Sequence, residues 1–204
     1  MKSFYEYLAE AKEAEGLLNI FDIDDTLFRS KTSVVIMKDG KPIKTLGSGE
    51  FNHYKLKPGE EFNFDQFRSG EHFRKAAQPI DKMLERARQA VKQGKTIIIT
   101  ARSDFYDKEP FLQKFRDHDF PIDQVHIERA GNLQKLKADA KVSVTKAVVI
   151  RKYINSGKYK RIRMWDDHAG NLDTLLKLGK IHPEIEIEAY LVNPETGEST
   201  RYKS

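Results

Sequence analysis

The stretch Leu17-Leu-Asn-Ile-Phe-Asp-Ile-Asp-Asp-Thr-Leu-Phe28 decides the fold. It is a compact, largely apolar run that ends in carboxylates. A strand covered on both faces reads as a near-continuous apolar run, so Leu17 to Asp22 predicts a central parallel strand with a polar tip. In open parallel sheets ligands bind in the crevice beyond the carboxyl ends of the strands, and Asp22, Asp24 and Thr26 fall there.

Two other stretches end in the same way. Thr96-Ile-Ile-Ile-Thr100 is a second apolar strand with a hydroxyl at its end, and Arg161-Ile-Arg-Met-Trp165 is followed by Asp166-Asp167. Carboxylates gathered at neighbouring strand tips repel one another, so a positive group belongs among them. A hard divalent cation with oxygen ligands, such as Mg2+, meets that need.

Between these strands the apolar period is helical. Ile80, Met83, Leu84, Ala87, Ala90 and Val91 line one face of a helix, with Pro79 near its start and Gly94 past its end. Phe111, Leu112 and Phe115 predict a further helix, and Val125-His-Ile127 a short strand. Thr145 is read as the cap of a helix closed by Gly157, and Leu172, Leu175 and Leu176 as a helix ending at Gly179. Glu186 to Val192 is a last strand, and Asn193-Pro-Glu-Thr-Gly197 a turn into the tail. Alternating strands and helices imply right-handed βαβ units and a parallel sheet covered on both faces.

The segment from Lys31 to Gln78 departs from this alternation. Val34 to Met37 and Pro42 to Leu46 flank Asp39-Gly40, a hairpin signal, with Pro42 assigning the second strand to an edge. Lys57-Pro-Gly59 marks another turn. Phe51, Tyr54, Phe62, Phe64, Phe67 and Phe73 are expected to form a satellite core. Tyr54, Arg68, His72 and Arg74 are the residues there best able to hold an anion.

The chain has 204 residues, enough for one domain with an insertion. No apolar run approaches the roughly 20 residues that a bilayer span needs, and no N-terminal apolar region suggests secretion, so a membrane partner is not expected and a cytoplasmic location is. The absence of cysteine excludes disulfides and thiolate metal sites. The six histidines show no zinc-ligand spacing. A net charge of +5 favours anionic partners but is short of a nucleic-acid signature. Gly94-Lys-Thr96 is not a phosphate loop, because position 89 is Gln and a strand follows.

In these motifs and their order the chain resembles the haloacid dehalogenase (HAD) superfamily of phosphatases and phosphotransferases. Ile20-Phe-Asp-Ile-Asp-Asp-Thr26 matches the first motif, Thr96 to Thr100 the second, Lys146 the lysine at a helix start, and Asp166-Asp167 the acidic pair. Lys141 and Lys158 are rivals for the lysine. The resemblance implies an α/β, HAD-like Rossmannoid three-layer fold over residues 17–204, with a small hairpin-containing cap at about 31–78. It implies Asp22 as nucleophile forming an aspartyl-phosphate, Asp24 as acid and base with a pKa near working pH, and Thr100 and Lys146 on the phosphoryl oxygens. Magnesium would be held by Asp22, Asp24 through its carbonyl, Asp166 and Asp167. Thr26 would shape the turn beside the substrate, and Arg102 and His168 would approach the substrate itself. Asp25 is given no role.

The expected partner is a phosphorylated small molecule or a polynucleotide end. Trp165 to Asn171 and Val125 to Asn132 also resemble uncharacterised HAD proteins of large tailed phages, which would place the chain in host cytoplasm or a virion head. Residues 1–16, with Phe4, Tyr7, Leu8 and Ala11 at helical spacing, read as an amphipathic segment, and Leu8-Ala-Glu10 resembles a head-protease cleavage site. The competing function is a packaged phage protein that uses the fold for binding alone.

Overall fold

The computed structural model describes residues 16–51, 53–134 and 142–203. The amphipathic segment, Leu8-Ala-Glu10 and Lys141 lie outside those residues. β1 (Leu17–Phe21), buried at every position, leads into the acidic loop, and a short β2 (Phe28–Arg29) follows. β3 (Val34–Lys38) and β4 (Lys41–Leu46) form the predicted hairpin. Asp39 and Gly40 at its tip have φ angles of 50° and 72°, the positive values that a tight two-residue turn demands. Pro42 lies on β4, which is an edge strand, where a missing N–H is tolerated.

After α1 (Ser48–Phe51), β5 (Glu60–Asn63) pairs with the free side of β3. The insertion is therefore a three-stranded sheet, one strand more than the hairpin pattern announced. α2 (Asp65–Arg68), α3 (Gly70–Ala76) and β6 (Gln78–Pro79) complete it. β6 pairs antiparallel with β2, which ties the two ends of the insertion together at its base.

The remaining chain alternates: α4 (Asp81–Gln93), β7 (Lys95–Thr100), α5 (Lys108–Arg116), a 3-10 turn (Ile122–Gln124), β8 (His126–Arg129), α6 (Gly131–Gln134), α7 (Val142–Asn155), β9 (Arg161–Asp166), α8 (Ala169–Ile181), β10 (Glu186–Val192) and β11 (Ser199–Arg201). The main sheet runs β11-β10-β9-β1-β7-β8. All neighbours are parallel except β11, which folds back on β10 after the predicted Asn193–Gly197 turn. The result is a three-layer α/β fold with a mostly parallel sheet, as the alternation of elements implies. No described helix is long and apolar enough to cross a membrane.

Side-chain alternation along the strands fills two cores. Phe21, Ile98 and Trp165 pack toward α4 and α5, while Leu18, Ile20, Ile97, Ile99, Ile162 and Met164 pack toward α7 and α8. Each such fully buried side chain contributes about 1.5–3 kcal/mol relative to exposure. In the insertion, Val34, Ile36 and Leu46 are covered by Phe51, Tyr54, Phe62 and Phe67. Phe73 does not join them. α3 lies against α5, so its ring packs in the main core with Phe28, Phe111 and Phe115.

Two glycine and cap readings need correction. Thr145 sits within α7, where its hydroxyl donates to the Val142 carbonyl at 2.9 Å, so it does not cap the helix. Gly179 does not end α8, which runs on to Ile181. Its hydrogen faces β10, where a Cβ would lie 2.7 Å from Ile187 Cγ1. The helix needs that glycine for its approach to the sheet.

Gly131 and Gly70 make the closest approaches, each with a Cβ position 2.1 Å from a backbone carbonyl oxygen. A Cβ at Gly131 would lie 2.1 Å from the Ala101 carbonyl oxygen and 2.7 Å from the Arg102 carbonyl carbon, both backbone atoms that cannot swing away. Gly131→Ala should lower unfolding free energy by about 1–3 kcal/mol, the usual cost of overpacking. Gly47→Ala, where nothing lies within 4 Å, should change it little. Urea unfolding of both variants, read as midpoint shifts at constant slope, checks the contrast.

Candidate active site

The loop after β1 turns on one residue. The Ile23 carbonyl accepts the N–H groups of Thr26, Leu27 and Phe28 at 3.3, 2.9 and 3.0 Å, and Asp25 takes a positive φ of 58°. Ile23 is buried beneath. Asp22 and Asp24, on either side of it, are thereby presented at the end of the central strand. The Asp22 N–H is held by the Trp165 carbonyl of β9 at 3.1 Å.

Lys146 enters from α7 and is 2% exposed. Its Nζ lies 3.0 Å from Asp22 Oδ1 and donates to Asp166 Oδ2 at 2.7 Å. Of its sequence rivals, Lys158 is exposed in the turn before β9, at the far end of that strand from Asp166. Asp166 is fully buried. Its oxygens also accept the His168 N–H at 2.9 Å and the Asn171 side-chain amide at 2.9 and 3.1 Å. These donors come from the start of α8, whose aligned peptide dipoles favour a negative charge.

Asp22, Asp166 and Asp167 each offer a carboxylate oxygen within 4.8 Å of the others. Burial pushes the Asp22 carboxyl well above its usual range. Lys146 pulls it down, while Asp166, Asp167 and Asp24 push it further up. Asp167 is pushed up to about 7, by burial first and then by Asp166. Burial works against the Lys146 ammonium too, but Asp166 and Asp22 outweigh it and keep it charged. Three carboxylates against one ammonium leave an excess of two negative charges when all three are ionised. Asp22 Oδ1 has beside it only the ammonium that it shares with Asp166, and Asn171 Oδ1 is buried with no hydrogen-bond partner among the described residues. An all-oxygen donor set with a surplus of two charges and an unsatisfied oxygen fits a hard divalent cation. Asp24 is absent from this side-chain cluster.

Asp24 instead faces Arg102. Arg102 Nη2 donates to Asp24 Oδ1 at 2.7 Å and Nε to Oδ2 at 2.9 Å, a bidentate pair. Burial raises the Asp24 carboxyl, but Arg102 more than offsets it, so the pKa is lowered. An acid poised near working pH was the expectation, and the guanidinium beside it is the reason it is not met. Arg102 is itself buried, and Nη2 and Nη1 donate onward to Thr32 Oγ1 at 3.0 Å and the Phe67 carbonyl at 3.2 Å. Its cation also sits 4.9 Å from the Phe73 ring centroid and 5.2 Å from that of Phe67. Expected at the substrate, Arg102 is committed to Asp24 and to the base of the insertion.

Thr26 holds the turn through its N–H and reaches a second loop with its side chain. Its hydroxyl is fully buried and accepts the Asp167 N–H at 3.1 Å, so it ties the first acidic loop to the second. Thr100, at the tip of β7, is buried and accepts the Arg102 N–H at 3.1 Å. His168 keeps an exposed ring on the rim, and only its backbone touches Asp166. Of the anion-binding candidates in the insertion, Tyr54 donates to Glu60 and Arg74 pairs with Asp117. Arg68 stacks on Tyr106. His72 lies on the Arg102 side, with its pKa lowered by burial and by that cation.

Asn171 was missed from sequence, although its spacing, five residues after Asp166 in the first turn of the following helix, was there to read. Ser30, which hydrogen-bonds Asp24, and Thr32 carry no comparable signal.

No family model matches this chain. No curated protein matches it either. Among solved structures, it is similar to a protein named by likeness as a haloacid dehalogenase-like hydrolase, from Burkholderia xenovorans LB400. The identity is 13% and the TM-score 0.45, over 90% of this chain and 85% of that one. So distant a likeness adds nothing to what the strand order and the side chains themselves show.

Proposed function

We propose that this chain is a magnesium-dependent phosphomonoester hydrolase of the HAD type, acting through an aspartyl-phosphate on Asp22. The observation that carries the reading is Lys146, buried between Asp22 and Asp166 at 3.0 and 2.7 Å. A lysine so placed neutralises the charge that gathers when a carboxylate attacks a phosphate dianion.

The steps follow from the positions. An Asp22 oxygen attacks phosphorus, and the bond from phosphorus to the leaving oxygen breaks. Water then attacks the acyl-phosphate. Asp24 takes a proton from that water, Asp22 is regenerated and inorganic phosphate departs. Thr100 and Lys146 position the phosphoryl oxygens. Asp22, Asp166 and Asp167 would hold magnesium, which supplies positive charge beside those oxygens. To protonate a leaving alkoxide, or to take the proton of the attacking water, Asp24 must first be freed from Arg102, which holds both its oxygens. A phenolate needs no such proton, so an aryl phosphate is the substrate least dependent on that pair. Small phosphometabolites and 3′-phosphorylated nucleic-acid ends are the substrate classes proposed for the natural reaction.

Hydrolysis of p-nitrophenyl phosphate with magnesium tests the reading. Asp22→Asn should abolish turnover, and Lys146→Met should lower kcat by about 10²–10³, the usual loss for one donor to a transferring group. Equal rates in wild type and Asp22→Asn, or no rate in either, would sink it.

Metal removal should expose the crowding of the carboxylates. A carboxyl whose folded pKa is raised adds stability while protonated and loses it as pH rises from the unfolded value to the folded one. With Asp167 at about 7 and Asp22 also raised, the melting temperature in EDTA should fall as pH rises from about 5 towards 7, where only the unfolded chain has lost these protons, and level off above that. Magnesium should flatten that fall. A metal-free profile that is level or rising between about pH 5 and 7 contradicts the electrostatic account, whatever the activity proves to be.

A further inference from the structure

A cavity of about 290 Å³ opens on the face of the sheet opposite the carboxylate cluster. Trp165 and Asp166 are successive residues of β9, so their side chains point to opposite faces. Asp166 meets Lys146 on the α7 face, and Trp165 lies on the α4 face with Phe21 and Tyr190. α4 leaves a gap above β9 and β10. Arg86, Gln89 and Gln93, one helical face, form one wall of it, and Arg163, Trp165 and Tyr190 the other.

The lining is rich in donors. It holds two guanidinium groups and no carboxylate. Arg163 is paired with Glu188 at 2.8 Å, whereas Arg86 has no partner among the described residues. Trp165 is 4% exposed, and its Nε1–H is buried without an acceptor. Buried polar groups ordinarily find partners, and each exception calls for an explanation. The Trp165 N–H is such an exception, and Arg86, a solvent-exposed guanidinium without an ion-pair partner among the described residues, lines the same space.

We propose that this cavity binds a small organic oxyanion, a phosphorylated or carboxylated metabolite, whose anionic group is held by Arg86 and the Trp165 indole N–H. The volume exceeds what a bare inorganic ion fills and is at the small end of metabolite pockets. The occupant would sit back to back with the candidate nucleophile, since the Trp165 carbonyl accepts the Asp22 N–H at 3.1 Å. The site stands apart from the phosphoryl reaction and does not depend on it.

Trp165 is the single tryptophan of the chain, so a 15N correlation spectrum carries one indole Nε1–H signal to read. Titration of metal-free protein with glycerol 3-phosphate and, separately, with malate distinguishes the two sources of the anion. A saturable downfield shift of that signal is expected with at least one of them, weakened tenfold or more in Arg86→Glu and in Arg86→Gln. Arg86 is exposed, so both variants should melt as the wild type does, and magnesium-dependent aryl phosphate hydrolysis should be unchanged in them. No shift by about 10 mM of either anion, a weaker affinity than a metabolite site needs, would overturn the proposal. So would an equal shift in the Arg86 variants, which would place the anion elsewhere, such as beside Lys146.

Discussion

Like-charge crowding at the strand tips is the constraint on which the rest of the site depends. Asp22, Asp166 and Asp167 stand within a few ångströms of one another, largely removed from water. In that setting an uncompensated carboxylate is costly enough to take up a proton. Much of the local architecture answers this problem. α7 delivers one ammonium into the cluster, α8 points its first N–H groups and Asn171 at Asp166, and Thr26 braces the Asp167 backbone. The answer is incomplete, because Asp22 and Asp167 remain raised. A site optimised for stability alone would have replaced one of these carboxylates with an apolar or amide side chain, since buried charges rarely add net stability. The surplus charge is the feature that points to a cation.

What could be read from the sequence was whatever is governed by period and position. β1, β7 and β9 announce themselves by apolar runs, and their order places Asp22, Thr100 and Asp166 at one edge of the sheet. The Asp39-Gly40 turn and the edge position of Pro42 follow from backbone chemistry that only a few residue types satisfy. Long-range side-chain choices were not legible. Phe73 sits among aromatics of the insertion in sequence, yet the packing of α3 on α5 carries it into the main core. Gly179 has the composition of a helix end, but the closeness of Ile187, a residue on another element, is what requires it. β5 lacks a strong alternating pattern because it needs only one partner, β3, to form. The fate of Arg102 depends on where Asp24, Thr32 and Phe67 converge, and no spacing encodes that meeting.

Asp22 and Asp24 are two residues apart and share a loop, yet their surroundings differ in kind. Asp22 has no cation to itself and shares one ammonium with Asp166. Asp24 has a guanidinium to itself, with both oxygens engaged. The first arrangement leaves a carboxylate under-stabilised and therefore able to gain by bonding to something electrophilic. The second quiets a carboxylate by giving it a full partner.

That second pair also joins the two parts of the molecule. Arg102 rises from the loop after β7, grips Asp24 in the acidic loop after β1 and spends its remaining donors on Thr32 and on the Phe67 carbonyl, both within the insertion. Removing one partner of a buried pair leaves the other charge stranded, at about 3–5 kcal/mol. The guanidinium cannot therefore leave Asp24 cheaply, nor can the base of the insertion shift without disturbing it. β2 and β6 hold the same base from the other side. The insertion is thus anchored through an ion pair that involves the acidic motif itself, and any displacement of Thr32 or Phe67 relative to the sheet must be felt at the Asp24 carboxylate.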